Sequence, residues 1–178
     1  MGVIMKYFEL TLNSVIYKNA PSLINWYGIQ DVRLIKWDSY HKLKNRNIYT
    51  IESSTETVFT DIISFPFLLV SSKVKDTIQM YGDKVVFKET ILLDTKNQTD
   101  KVYYLPVMQE NSKIKLAYAM KTKNSVCNKN VPEWVNERNI FWISEKGKRH
   151  TIINLDLAES LLRRKAIGLQ LKEVHLTI

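Results

Sequence analysis

The 178 residues, 45% of them hydrophobic, are enough to fold as one sizeable domain that buries roughly 70% of the unfolded surface. Lysine and arginine exceed aspartate and glutamate by 26 to 18, and the net charge of +8 is compatible with nucleic acid, an anionic membrane or an acidic protein as a partner. Cys127 is the only cysteine, which excludes an intrachain disulfide, and the longest apolar stretch, residues 65–70, is too short to span a bilayer.

The beginning of the chain carries no signal for secretion or lipid attachment. It lacks a basic region followed by an apolar core, and Glu9 interrupts its apolar residues early. Lys6 stands where an N-myristoylation motif has Ser or Thr. Because a single cysteine also suits a reducing compartment, we predict a soluble cytoplasmic protein.

Strand patterns dominate the first part of the chain. Alternating or β-branched runs predict strands at residues 5–11, 32–37 and 48–52. A polar and basic connection, residues 38–47, separates the second of these strands from the third. Residues 58–63 are so few that the pattern allows either a strand or a helix.

A buried strand and a short helix are predicted near the middle of the chain. Residues 67–70 are uniformly apolar, Ser71 or Ser72 is a good N-cap, and Gly82 is expected to end the helix. The apolar stripe of this helix consists of Val74, Thr77, Ile78 and Tyr81.

Four more strands are predicted before the C-terminal region. Residues 84–93 and 101–108 form the two arms of a long hairpin, and the alternation of residues 113–120 predicts a further strand. Residues 140–143 form a short strand, which a turn at residues 145–148 ends.

A capped helix followed by a strand closes the chain. Asp156 and Glu159 have the spacing of a capping box, so we expect a helix to begin at Asp156. Gly168 is expected to end this helix in the left-handed conformation. The apolar residues of the last strand change parity part-way, which predicts a β-bulge near Lys172 and Glu173.

Two regions, residues 67–93 and 150–176, share the same order of elements. A shift of 84 positions places Ser72 on Asp156 and brings a Lys-Glu pair onto a second Lys-Glu pair. Because two copies are too few for a solenoid, the pattern predicts a duplicated strand-helix-strand unit within one fold.

These elements together predict an α+β protein with mostly antiparallel or mixed sheets. We expect a single domain, residues 1–178, with the option of two lobes. The first lobe would hold the N-terminal strands, residues 1–60, and the second would hold the duplicated region, residues 61–178.

The connection after the second predicted strand holds the most suggestive side chains. Asp38, Ser39 and His41 offer an acid, a hydroxyl and a base, but three groups in one loop seldom converge, and no Gly-x-Ser-x-Gly elbow is present. The same segment suits RNA, with rings stacked on bases and basic groups on phosphates. The candidate contact residues are Trp37, Tyr40, His41 and Arg46. The alternative, favoured by the charge pattern, is a solvated loop.

Other reactive residue types are scattered. Cys127, His150 and His175 show neither His-x-x-x-His nor Cys-x-x-Cys spacing, so we predict no metal site, and Cys127 is best read as an ordinary loop residue. The five glycines are never clustered, which excludes the common phosphate-binding loops, and no cofactor is predicted. The larger aromatic residues that suit either a core or a protein interface are Trp26, Tyr27, Trp134 and Trp142.

Three motifs of residues 58–176 form a recognisable set: Leu69-Val70-Ser71, Ile140-Phe141-Trp142-Ile143 and Ile167-Gly168-Leu169-Gln170-Leu171-Lys172-Glu173-Val174. Through these motifs, residues 58–176 resemble a bacterial family identified as immunity proteins of polymorphic-toxin systems. The chain departs from the family pattern at Trp142, where the family more often has Arg, and at the Asn154-Leu-Asp156 cap, where Ser is usual.

The resemblance implies a cytoplasmic protein that binds and blocks a cognate toxin and catalyses no reaction. A basic inhibitor suits an acidic toxin surface better than a basic nuclease. The alternative from the residues alone is a nucleic-acid-binding module that uses residues 37–46. A third reading, a hydrolase, requires a pocket that joins at least two of the residues His41, Cys127, His150 and His175.

Overall fold

The computed structural model describes residues 5–118 and 133–177. Within these residues the chain forms two six-stranded sheets of mixed strand direction together with three α-helices. This is the α+β class that the sequence predicts.

The first sheet gathers strands from both ends of the chain. Its strands are β1 (Tyr7–Leu12), β8 (Glu110–Asn111), β9 (Lys115–Tyr118), β10 (Ile140–Glu145), β11 (Lys148–Asn154) and β12 (Leu169–Thr177). Their order across the sheet is β8-β10-β11-β1-β12-β9, and every neighbouring pair is antiparallel except β8 and β10.

The second sheet is built from the middle of the chain. Its strands are β2 (Leu23–Ile24), β3 (Arg46–Ile51), β4 (Ile62–Ile63), β5 (Leu69–Val70), β6 (Val86–Asp94) and β7 (Thr99–Val107). Their order is β2-β3-β6-β7-β5-β4, with β3 parallel to β6 and the other pairs antiparallel. The predicted long hairpin is confirmed as β6 and β7, which pair along their full length.

Helices α1 (Ser72–Gln79), α2 (Glu133–Asn136) and α3 (Leu155–Arg163) complete the fold. Helix α1 leads from β5 to β6, two strands that flank β7, and α3 leads from β11 to β12, two strands that flank β1. The two helices contact each other, and the hydroxyl of Tyr81, just after α1, donates a hydrogen bond to the Asp156 carbonyl of α3 at 2.8 Å.

The N-cap of α1 agrees with the prediction, but that of α3 does not. The Ser71 hydroxyl accepts from the Val74 amide, whereas the cap of α3 is Asn154, whose side chain accepts from the Leu157 amide at 3.0 Å. Asn154 is the last residue of β11 and keeps an extended backbone, so the helix starts where the strand ends. Asp156 lies instead in the first turn, where its negative charge interacts favourably with the positive N-terminal end of the helix dipole.

The residue in left-handed conformation that ends α3 is also not the predicted Gly168. Lys165, with φ of 53°, takes the left-handed position, and the Ala166 amide donates back to the Leu161 carbonyl at 3.1 Å. Gly168 is left-handed too, with φ of 87°, but it serves the turn into β12. A Cβ atom there would lie 2.6 Å from Cβ of Thr60, so Gly168 allows the two sheets to approach.

Two apolar clusters stabilise the molecule. The main core lies between the sheets and draws on both of them and on α1 and α3, as Leu10, Leu92, Ile78 and Leu161 illustrate. A smaller second core covers the opposite face of the first sheet; its buried members are Tyr7, Ile114, Val135, Phe141, Ile143, Ile152, Val174 and Leu176. Every helix within residues 5–118 and 133–177 is too short or too polar to traverse a bilayer.

Strand β12 contributes to both cores, which explains its change of parity. Its pairing with β1 runs without interruption from Leu169 to Val174, so the predicted bulge is wrong. Leu169 and Leu171 pack on the main core, whereas Val174 and Leu176 belong to the second core. A regular strand buried on opposite faces at its two ends has this pattern without an inserted residue.

The prediction of a strand at residues 32–37 is also wrong. Val32–Leu34 form a 3-10 turn, which Asp31 caps by accepting a hydrogen bond from the Arg33 amide at 3.0 Å. Only Ile35 of this segment is fully buried. A run of β-branched residues does not remain a strand where no neighbouring strand pairs with it.

The remaining predicted strands fall close to their expected positions. Strands β1, β3 and β10 overlap residues 5–11, 48–52 and 140–143, and a turn with Lys146 and Gly147 at positive φ joins β10 to β11. The strand predicted at residues 113–120 appears as β9 up to residue 118, and the rest of the prediction lies outside the described residues.

One buried carboxylate ties the sheets and helices together. This carboxylate belongs to Asp61, the residue after Thr60, which is 9% exposed. Its carboxylate accepts hydrogen bonds from the Ser71 hydroxyl at 2.6 Å, the Ile167 amide at 2.7 Å and the Lys73 ammonium at 3.3 Å. Asp61 therefore links the start of α1 to the loop that follows α3.

Candidate functional site

Three of the four predicted contact residues lie together. Trp37 and Tyr40 have ring centroids 5.4 Å apart, and the ring of Tyr40 is 6.3 Å from that of His41. The 3-10 turn Tyr40–Lys42 holds them, and Leu43 anchors the turn in the main core. His41 is exposed, whereas Trp37 and Tyr40 are half-buried.

Arg46, the fourth predicted residue, is engaged elsewhere. It lies on β3 directly opposite Glu89 of β6, and its guanidinium forms a salt bridge with that carboxylate. Lys88 takes a place beside the ring cluster instead, with its ammonium 5.9 Å from the ring centroid of Tyr40 and 2.8 Å from Oδ1 of Asn45. Basic and aromatic groups therefore do meet here, but not in the combination predicted.

Trp37 also borders a groove of about 470 Å³ at the β8 edge of the first sheet. The residues that line this tryptophan groove are Lys36, Trp37, Asp38, Gln109, Glu110, Asn111, Trp134, Arg138, Phe141 and Trp142. The guanidinium of Arg138 lies 5.7 Å from the ring of Trp134 and donates to the Gln109 side chain. The positive charge of Arg138 is thus engaged within the groove by the ring of Trp134.

Trp142 separates the tryptophan groove from a second cavity. Its ring is 1% exposed, and the guanidinium of Arg149 lies 4.2 Å from the ring centroid. Arg149 also donates to Glu110 at 2.9 Å. Within the described residues both Nε1 of Trp142 and Nε of Arg149 are buried without a hydrogen-bond partner.

The second cavity, about 420 Å³ in volume, lies between the two sheets and is called the inter-sheet cavity below. The first sheet contributes Leu10, Trp142 and the start of β11, and β7 contributes Leu105. The segments 32–35 and 64–68 close the remaining sides. Most of this wall is aliphatic or aromatic.

An aromatic surface, formed by Trp26, Tyr27 and Phe65, lies beside the inter-sheet cavity. The ring centroid of Trp26 is 5.9 Å from that of Tyr27, 6.3 Å from that of Phe65 and 6.2 Å from that of Phe67. Tyr27 and Phe65 are 74% and 71% exposed, whereas Phe67 packs on buried Tyr49. The surface is therefore rigidly supported and open to solvent.

Sequence reasoning only partly anticipated this surface. The adjacent pair Trp26-Tyr27 indicates a core or an interface. The preceding residue is an asparagine, a type that tolerates left-handed backbone, and Asn25 has a φ of 56° where the chain leaves β2. No local pattern indicates that Phe65 joins them, because the contact depends on how two distant loops pack.

The histidines do not assemble a catalytic group. Nδ1 of His150 lies 2.6 Å from Oε1 of Glu9, and both side chains are 9% exposed. His150 faces the second core with Ile152, whereas His175 has the parity of Leu171 and lies on the opposite face of the first sheet. Within residues 5–118 and 133–177, neither cavity is lined by a histidine.

Cys127 lies outside the described residues, so its pairing with a histidine stays untested. Among the residues described, no group of three or more His, Cys, Asp or Glu side chains is placed to hold a metal ion. The Glu9–His150 pair is a buried ion-pair candidate and supports the first sheet by joining β1 to β11.

The side chains with the clearest pKa shifts are structural. Burial raises the pKa of Tyr7 and of Tyr49 to about 12, and burial together with the Asp61 charge raises that of Tyr103. Hydrogen bonds from Arg33 lower the pKa of Asp31. None of these groups lines either described cavity, so none is placed for acid–base chemistry there.

The sequence matches no protein-family model and has no significant match among curated protein sequences.

Proposed function

We propose that this chain is a non-enzymatic, cytoplasmic immunity protein that binds and neutralises a cognate bacterial toxin. The observation that carries the proposal is the aromatic surface of Trp26, Tyr27 and Phe65, which is exposed yet supported by the core. Tyr and Trp are the residue types that most often dominate the binding energy of protein interfaces. The motif resemblance to immunity proteins supports the same function.

Charge favours an acidic partner. The chain has a net charge of +8, and Lys148 borders the inter-sheet cavity together with Phe65 of the aromatic surface. Opposite charges accelerate association and suppress binding to like-charged proteins. We expect the toxin surface that meets this protein to be acidic.

The decisive experiment is co-expression with the products of neighbouring genes, followed by pull-down and a test of protection from toxicity. The double variant Tyr27→Ala with Phe65→Ala should bind the captured toxin at least about tenfold more weakly and protect less well. Its thermal stability should change little, because both side chains are exposed.

Ile48→Ala provides the matched control. Ile48 is 50% exposed on β3, away from the aromatic surface, so its loss should leave binding and protection unchanged. If no neighbouring gene product binds, or if both variants bind equally well, the proposal fails.

A second candidate function is binding of single-stranded nucleic acid by residues 37–46. It is supported by the Trp37–Tyr40 ring pair and by Lys42 and Lys44, which make no ion pair within the described residues. Rings that stack on bases beside unpaired cations are typical of single-strand binding sites.

This candidate predicts affinity for single-stranded RNA that falls steeply with salt concentration. The variant Lys42→Gln with Lys44→Gln should weaken binding and flatten the salt dependence, whereas Lys96→Gln, in the distant β6–β7 turn, should change neither. Fluorescence anisotropy measures both quantities. If Lys96→Gln weakened RNA binding as much as the double variant, the affinity would reflect only non-specific attraction to a basic protein.

We also propose that the region around residues 67–93 and the region around residues 150–176 derive from one duplicated strand-helix-strand unit. The proposal is supported by the equivalent connections of α1 and α3, each of which joins two strands that flank an antiparallel third. The helices also begin at nearly equivalent positions, after Ser71 and Asn154.

A further inference from the structure

The inter-sheet cavity is lined largely by the main core. Five of its lining residues are fully or nearly buried members of that core: Leu10, Ile35, Phe67, Leu105 and Trp142. Leu10 and Trp142 come from the first sheet, and Leu105 comes from β7 of the second. Because the main core lies between the two sheets, both sheets direct apolar side chains into the space that the cavity occupies.

One polar side chain of this lining, that of Thr151, has no partner among the described residues. Thr151 of β11 lies directly opposite Trp142 of β10, and cross-strand partners project from the same face of a sheet. Since Trp142 belongs to the main core, Thr151 also faces the second sheet, and it borders the cavity with only 8% of its surface exposed. Its hydroxyl makes no hydrogen bond within residues 5–118 and 133–177. A buried hydroxyl in this state costs free energy that a bound molecule can recover.

In the part of the chain that the structure describes, no unpaired charge faces the inter-sheet cavity. Lys148 and Glu9 border it, but both project from the same face of the first sheet as Ile152, which belongs to the second core. Arg149 projects towards the cavity and is already paired with Glu110. A charged ligand would therefore leave water without gaining an opposite charge, whereas a neutral ligand avoids this cost.

We propose that the inter-sheet cavity binds a small neutral molecule with an apolar body and one hydroxyl group, and that this group bonds to the Thr151 hydroxyl. The volume of about 420 Å³ lies within the range of small-molecule sites. Burial of the body against the apolar lining supplies affinity. A threonine hydroxyl both donates and accepts, so it matches a ligand hydroxyl in either direction. The inference does not rest on the proposed toxin binding.

The probes are phenol, benzene, which lacks the hydroxyl, and benzoate, which carries a charge. Phenol should shift the indole N–H resonance of Trp142 and the methyl resonances of Leu105 with an apparent Kd on the order of 1 mM. The indole resonance of Trp134, which lines only the tryptophan groove, should stay in place. Benzene should bind about fivefold more weakly, because it leaves the Thr151 hydroxyl unsatisfied. Benzoate should bind at least about tenfold more weakly, because its charge gains no partner.

A matched pair of threonine variants tests the role of the hydroxyl. Thr151→Val keeps the shape of the side chain, so it should weaken phenol about fivefold and leave benzene unchanged. Thr90→Val makes the same change at a residue of β6 that is 1% exposed and lines neither cavity, so it should affect neither ligand. Thr151→Val removes no hydrogen bond between the described residues, so its unfolding midpoint should not fall.

A phenolic ring is also the side chain of a tyrosine in another protein. N-acetyltyrosinamide separates the two sources: stronger binding of phenol favours a free small molecule, and stronger binding of the amide overturns that assignment in favour of a protein side chain. Equal binding of phenol and benzene, tighter binding of benzoate, equal effects of the two threonine variants, or a shift of Trp134 instead of Trp142 would overturn the site itself.

Discussion

Gly168 lies in the loop after α3 and packs against Thr60, two residues before β4. Its φ of 87° is unfavourable for any residue with a Cβ atom, and that atom would lie 2.6 Å from Cβ of Thr60. The sequence indicates the left-handed conformation, because glycine is the usual residue after a helix, but it gives no sign of the contact with Thr60. The same residue thus acts through the left-handed conformation expected of it and through a contact that only the packed sheets create.

Gly168→Ala should lower the free energy of unfolding by about 3 kcal/mol, because backbone strain and steric overlap with Thr60 add. Chemical denaturation measures the change. Gly28→Ala is the control, since an added Cβ there meets no atom within 4 Å and φ is not positive. Similar unfolding midpoints for the two variants would show that the loop moves freely away from Thr60.

Asp61→Asn should cost about 2 kcal/mol of stability. The amide cannot accept from all three donors, Ser71, Lys73 and the Ile167 amide, and it removes the charge opposite Lys73. Asp76→Asn is the matched control, because the Asp76 side chain is 67% exposed and its pair with Lys75 is on the surface. Equal unfolding free energies for both variants would contradict the linking role of Asp61.

The start of α3 shows how a helix boundary depends on what precedes it. Asp156 and Glu159 have the spacing of a capping box, but the extended end of β11 already supplies Asn154 as an acceptor. Strand pairing carries the chain in extended form up to Asn154, so the helix begins before the box. Spacing alone does not reveal which of two capping residues the preceding strand selects.

Asn154→Ala should therefore destabilise the protein by about 1 kcal/mol or more, since Asn154 caps α3 and also donates to the Asn139 side chain at 2.7 Å. Asp156→Ala should cost less, because only a favourable charge in the first turn is lost. Thermal unfolding of both variants ranks them. The reverse order would restore Asp156 as the cap.

The two-core arrangement makes the molecule sensitive to alkaline pH as a whole. Tyr7 belongs to the second core and Tyr49 to the main core, and burial raises the pKa of each to about 12. A folded-state pKa above the unfolded value of about 10 gives stability that is present below pH 10 and is lost as pH rises towards 12.

We expect stability to fall between about pH 10 and pH 12, with ionisation of Tyr7 and Tyr49 accompanying the loss of structure. Absorbance at the phenolate band, recorded with circular dichroism, measures both events. Full phenolate absorbance in a still folded protein would contradict this coupling.

The sequence by itself determined the local elements, because their signals are local. Apolar alternation located the β6–β7 hairpin, and a hydroxyl before an apolar helical stripe located α1 with Ser71 or Ser72 as its cap, of which the structure uses Ser71. The α+β class followed from these elements. The candidate ring cluster at Trp37 and Tyr40 was found for the same reason, since both residues lie within one short segment.

The tertiary structure alone decided which surfaces meet. It set β12 between two cores, left residues 32–34 without a strand partner, paired Arg46 with Glu89 and brought Phe65 to Trp26. Each of these outcomes depends on contacts between residues far apart in the chain. Because burial and pairing energies arise only when the sheets pack, no pattern within a single segment determines them.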